Sequence, residues 1–199
     1  TFDAETDSKR RLRLIGGRWR ATGNPSGWVR LKDAGNGFIS PHKVNFNNNS
    51  EDATAISIEN HSGYSELNVI EGRYDCDIGI DFVPASITGG SGTESFQGTT
   101  IRDVTINVEG NRSDGDNFAI RPRGNFRYGE FRRPNLFCKE EDAVGIVFDA
   151  PRMGGCTITA YQVESVSGSN HTAFAEGPNY DDYYGPLLVG GSVYLDGQV

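Results

Sequence analysis

Between Ser113 and Ile120 the chain reads SDGDNFAI, with Asp114 and Asp116 on either side of a glycine and just ahead of an apolar run. Cleavage of a glycosidic bond needs two carboxyl groups at a set separation on one surface. Asp114 and Asp116 are the candidate catalytic residues on that ground. The same residue types also make a corner: Asp and Asn bend the backbone with their side chains, and Gly takes the left-handed conformation. A second acidic run, YDCDIGID (74–81), sets Asp75, Asp77 and Asp81 at alternating positions, which an extended chain projects to one side. Three carboxylates on one face can hold Ca²⁺, which takes about six to eight oxygen ligands. On the outside of a strand they serve equally as solubilising charge.

Two further stretches have the composition of a recognition surface. RPRGNFRYGEFRR (121–133) interleaves Arg121, Arg123, Arg127, Arg132 and Arg133 with Phe126, Tyr128 and Phe131. Guanidinium forks pair with carboxylates or phosphates, and aromatic faces stack on sugars or bases. Arg121, Arg123, Arg127 and Tyr128 are therefore candidate ligands for an anionic polysaccharide. The competing reading pairs these arginines with the chain's own acids, across neighbouring turns or across a subunit contact. NYDDYYGP (179–186) adds Tyr180, Asp181, Asp182, Tyr183 and Tyr184, a composition common to carbohydrate sites and to protein contacts. No phosphate-cradling glycine loop, Ser-His-Asp order or Cys-His arrangement stands out. Cys76, Cys138 and Cys156 have neither CxxC nor Cys/His spacing, which argues against zinc and for small buried hydrophobes.

Bulk properties exclude other classes. The formal charge of −8 runs against a general nucleic-acid binder. No apolar run approaches the roughly 20 residues that a membrane-crossing helix needs, so no membrane insertion is expected.

The elements that position these residues are short and repeated. Helical periodicity is almost absent, and β-branched or aromatic runs alternate with Gly, Asn, Asp, Ser and Pro. One set reads WVRL (28–31), AISI (55–58), GIDF (79–82), AIRP (119–122), GIVF (145–148) and AFAE (173–176). Its second residues, Val29, Ile56, Ile80, Ile120, Ile146 and Phe174, are spaced by 27, 24, 40, 26 and 28. A second set reads RLIGG (13–17), NVIEG (68–72), INVEG (106–110), AYQVES (160–165) and VYLDG (193–197), with 38 residues between Gly72 and Gly110. Both sets stretch across SITGGSGTESFQG (86–98), which reads as a loop inserted into one repeat.

Repeats of this length cannot bury their apolar side alone and must stack. Winding equivalent strands above one another gives an all-β fold, a parallel β-helix built as a single-stranded solenoid. About six coils at ~4.8 Å each make a rod of roughly 30 Å. β-Sandwiches and jelly rolls also use short strands, but the long repeat step favours the solenoid.

The succession of short strand, IEG or VEG, and an Asn- or Asp-bearing turn resembles the right-handed parallel β-helix of the pectin-lyase-like superfamily, over residues 12 to 197. That superfamily includes pectate lyases, polygalacturonases and the tailspikes of bacterial viruses. SDGDNFAI resembles the Gly-Asp-Asp segment of polygalacturonases, yet Gly115, Asp116 and Asn117 put an amide where the second acid belongs. The family's Asn-Thr-Asp, Gly-His-Gly and Arg-Ile-Lys elements have no counterpart: His42, His61 and His171 are followed by Lys, Ser and Thr. The resemblance to pectate lyases implies calcium at Asp75, Asp77 and Asp81 beside the basic Arg73; otherwise no cofactor is expected. The tailspike resemblance implies a structural, receptor-binding protein of a virion surface or other extracellular setting, a homotrimer or larger symmetric assembly that recognises a host-surface polysaccharide or glycoprotein. A secreted polysaccharide lyase or glycoside hydrolase is the alternative. The pattern runs close to both Thr1 and Val199, leaving little sequence for caps. A single domain over 1–199, forming a fragment or processed part of a longer chain, is the corresponding expectation.

Overall fold

The computed structural model describes residues 2–5, 11–21, 27–32, 36–46, 54–60, 64–84, 95–109, 117–139, 141–180 and 185–195. These residues form strands and corners and no helix, arranged as a parallel β-solenoid. Each turn visits three faces. The first face stacks β1 (Phe2–Glu5), β4 (Gly27–Lys32), β7 (Thr54–Asn60), β10 (Ile78–Pro84), β14 (Phe118–Arg121), β18 (Val144–Arg152) and β21 (Thr172–Glu176). The second stacks β2 (Arg11–Ile15), β5 (Asn36–Ser40), β8 (Tyr64–Ile70), β12 (Thr100–Arg102), β16 (Glu130–Arg132), β19 (Thr157–Thr159) and β22 (Leu187–Val189). The third, a seven-stranded sheet, stacks β3 (Arg18–Ala21), β6 (Lys43–Phe46), β9 (Arg73–Cys76), β13 (Thr105–Val108), β17 (Asn135–Cys138), β20 (Gln162–Ser165) and β23 (Ser192–Tyr194). Its five inner strands pair on both sides, and β3 and β23 pair on one.

The first repeat family is the inward column of the first face. Val29 pairs with Ile56, Ile56 with Ile80, Ile80 with Ile120, Ile120 with Ile146 and Ile146 with Phe174. Ile56, Ile80, Ile120 and Ile146 are fully buried, and each such burial contributes about 1.5–3 kcal/mol. The second repeat family mixes two faces. Val69 of NVIEG stacks on Ile101 of the second face, whereas Ile106 of INVEG stacks on Tyr74 and Leu136 of the third. Gly72 lies in the corner after β8, whereas Gly110 lies outside the described residues.

Ser95–Gln97 forms β11, which pairs with β8 and with β15 (Arg123–Arg127). Positions 95–97 of the expected 86–98 loop thus belong to the solenoid, and 86–94 lie outside the described residues. Phe96 of β11 packs on Phe82 and Phe126 at ring distances of 5.2 and 6.1 Å, which ties β11 to the core.

Between the second and third faces the chain turns on two residues. The first of them is left-handed at Gly16, Glu71, Asp103, Arg133, Ala160 and Gly190, with φ between 49° and 70°. Its amide donates to the carbonyl of the adjoining turn: Glu71 to Arg102, Asp103 to Arg132, Arg133 to Thr159 and Ala160 to Val189, at 2.7 to 3.0 Å. Proline cannot take that role, and where Pro41 occupies the corner the neighbouring His42 amide donates instead, to Gly17. Asp103 and Arg133 stack in this column with Nε–Oδ1 and Nη2–Oδ2 contacts of 2.5 and 2.8 Å. Arg133 holds the Asp103 carboxyl below its ordinary range.

Candidate functional site: a cleft between two arginines

Where β15 ends at Arg127, the chain turns through Tyr128 and Gly129. One turn further on, β18 ends at Arg152 and the chain passes through Met153, Gly154, Gly155 and Cys156. The two corners are stacked, with the Tyr128 amide donating to the Gly154 carbonyl at 3.1 Å and the Thr157 amide to the Gly129 carbonyl at 2.9 Å. Arg127, Tyr128, Arg152, Gly154 and Gly155 line a cleft of about 480 Å³.

Tyr128 sits at φ 54°, a left-handed conformation that costs a bulky residue of order 1–3 kcal/mol. The preceding turn places Gly98, at φ 65°, in the same corner. Tyr128 is nonetheless 66% exposed, so burial does not offset the strain. Gly155 lets its ring lie against the turn: a Cβ there would come within 2.7 Å of Tyr128 Cδ1. Arg127 Nε donates to Oδ1 of the buried Asn125 at 2.8 Å, which holds the guanidinium by one edge.

Two guanidiniums beside an exposed phenol ring and a glycine turn can hold a carboxylate or sulfate by paired hydrogen bonds while a sugar ring stacks on the aromatic face. Among the described residues the lining carries no carboxyl group, and its guanidiniums offer donors for an anion.

Of the sequence candidates, the cleft takes Arg127 and Tyr128. Arg121 and Arg123 lie elsewhere and converge on Asp81: Arg121 Nε reaches Asp81 Oδ1 at 3.2 Å, and Arg123 Nη2 reaches Oδ2 at 2.6 Å. Arg121 also lies 4.2 Å over the Phe118 ring. The cross-turn pairing weighed for these arginines is the arrangement present.

Asp75, Asp77 and Asp81 do not share a face. Asp75 is on β9 of the third face, Asp81 on β10 of the first, and Asp77 is in the corner between them. The even spacing failed because that corner interrupts the extended chain. Asp75 is buried against Lys43 at 2.7 Å, Arg73 at 3.0 Å and Asn107 at 2.5 Å. Among the described residues no group of three His, Cys, Asp or Glu side chains comes together as a metal site.

Tyr180 packs against Phe148 with ring centroids 5.8 Å apart. Asp114, Asp116, Asp181, Asp182, Tyr183 and Tyr184 lie outside the described residues. All three cysteines are buried and in no disulfide, and burial pushes Cys156 up to about 11. Arg152 was missed. Its signal was available in the sequence, since Arg152 precedes Met-Gly-Gly one repeat step after Arg127.

No known protein family matches the chain, and no curated protein or solved structure matches it.

Proposed function

We propose that the protein is a structural, receptor-binding β-solenoid that recognises an anionic glycan on a host surface without cleaving it. An extracellular setting of the virion tailspike or tail-fibre kind suits this reading, since a stiff rod presents a lateral cleft to a surface polymer. The observation that carries it is the cleft between Arg127 and Arg152, with Tyr128 held strained and exposed between them. Strain retained at an exposed aromatic residue, where glycine serves in the preceding turn, points to a use for the ring.

The test separates stability from binding. Tyr128→Gly relieves the left-handed strain and removes the stacking platform, so the variant should melt no lower than wild type. Its binding to acidic oligosaccharides on a glycan array should fall at least about tenfold, the scale of one lost aromatic contact of ~1.4 kcal/mol. Ala160→Gly is the control. It relieves the same conformation at φ 49° in a different corner and should leave glycan binding unchanged. Binding that survives Tyr128→Gly, or release of new sugar ends by the wild type, contradicts the proposal; the second result favours the lyase or hydrolase alternative.

A further inference from the structure

Arg132, one of the arginines of the strip 121–133, belongs neither to the Asp81 cluster nor to the lining of the cleft. It ends β16 on the second face. Ile101, Phe131 and Ile158 stack inward there and are buried, so the residues on either side of each point outward. Two outward columns result. One stacks Thr100, Glu130 and Thr157, and the other stacks Arg102, Arg132 and Thr159.

Arg102 and Arg132 are thus side by side on adjacent turns, about 4.8 Å apart at the backbone. Like charges directly opposite each other in a sheet are unfavourable unless an anion lies against them. Asp103, in the adjoining corner, has both oxygens on Arg133, at 2.5 and 2.8 Å, with Arg102 3.5 Å away. Glu71 fills the same corner two turns from Arg132, roughly 10 Å away along the stack. Arg132 itself is exposed.

This pair and the cleft share one surface. Gly129 follows Tyr128 and leads directly into β16, and Arg132 is three residues further, about 10 Å at the rise of a strand. That is the reach of a disaccharide, not of one sugar. Between them stands Glu130, also exposed, with the hydroxyl side chains of Thr100 and Thr157 on the turns before and after it. A carboxylate in that place repels an anionic sugar and accepts hydrogen bonds from the hydroxyls of a neutral one.

We propose that the glycan site extends from the cleft across the second face and selects an anionic polysaccharide charged on alternate sugars. One anionic sugar lies in the cleft between Arg127 and Arg152, a neutral sugar lies over Glu130, and the next anionic sugar lies on Arg102 and Arg132. A polymer charged on every ring sets an anion against Glu130 and is disfavoured. The inference rests on the glycan reading of the cleft and adds to it the spacing of the charge.

Calorimetric titration of the intact chain with three probes tests it. They are a uronate–N-acetylhexosamine disaccharide, the tetrasaccharide of the same alternating sequence, and a tetrasaccharide of uronate alone. The alternating tetrasaccharide should bind at least about tenfold more tightly than either of the others. Arg132→Ala should weaken its binding at least about tenfold and leave the disaccharide unchanged. Glu130→Gln should tighten binding of the uniform uronate and leave the disaccharide unchanged. Both positions are exposed, so thermal melts of the variants should match wild type. If none of the three probes binds, the reading of the cleft falls and this inference with it. The extension alone is overturned, with the cleft left standing, by any of three results: an alternating tetrasaccharide no tighter than the disaccharide, full affinity for it in Arg132→Ala, or a uniform uronate that binds equally well.

Discussion

Gly79→Val unfolds the protein, or costs at least about 4 kcal/mol of its stability. Gly79 lies on β10 immediately before the Ile80 of the inward column, and a Cβ added there collides with the backbone carbonyl of Ala119 and with Ile106 at 2.9 Å. A carbonyl in a parallel ladder cannot move without breaking the ladder, so the collision has no cheap relief. The neighbouring turns obey the same limit. Ala55, Ala119 and Ala173 occupy this column, and a Cβ on Gly145 would lie 2.6 Å from the Ala173 carbonyl oxygen and 3.0 Å from Val163. Gly154 is the control, since an added Cβ there meets no atom within 4 Å. Urea unfolding of Gly79→Val beside Gly154→Ala checks the account. A Gly79→Val protein within about 1 kcal/mol of wild type contradicts the tight column.

The second large effect is at Asp81. Its side chain is 9% exposed and faces the guanidiniums of Arg121 and Arg123, which are 14% and 15% exposed. Arg123 also donates from Nε to the Phe82 carbonyl at 3.1 Å, which fixes it in place. Asp81→Ala leaves two largely buried cations without their shared carboxylate. Removing one partner of a buried pair costs about 3–5 kcal/mol. Asp81→Asn keeps an acceptor and should lose less. Substitution of the exposed Asp103, by contrast, should have little effect, because solvent screens its pair with Arg133. Thermal and urea melts of the three variants give the order directly. An Asp81→Ala protein as stable as Asp103→Ala shows that the cluster contributes nothing to the fold.

These residues show what was legible in the sequence. The column from Val29 to Phe174 could be read because, from Ile56 to Ile146, one buried isoleucine per turn follows an Ala or Gly, a pattern that burial and close backbone approach both enforce. The corners could not be sorted. An apolar residue followed by Glu and Gly occurs after β8 and after β13, and only the three-dimensional path shows that the first is a left-handed corner of the second face. YDCDIGID misled for a related reason: alternation predicts a shared side only where the chain stays extended, and it bends at Asp77. The division of the Arg-rich strip into a buried cluster at Asp81 and a cleft at Arg127 depends on which turns lie above and below. Arg152, one turn away in space, was passed over because 127 and 152 are far apart along the chain.

The central claim is that the cleft holds an anionic sugar and leaves it whole. A calorimetric titration of the intact chain with an acidic oligosaccharide, followed by chromatography of the recovered sugar, tests it most directly. The account predicts saturable binding by the wild type, recovery of unaltered oligosaccharide, and loss of binding in Arg127→Ala with Arg152→Ala. Equal binding by the double variant, or a shortened oligosaccharide, would contradict it.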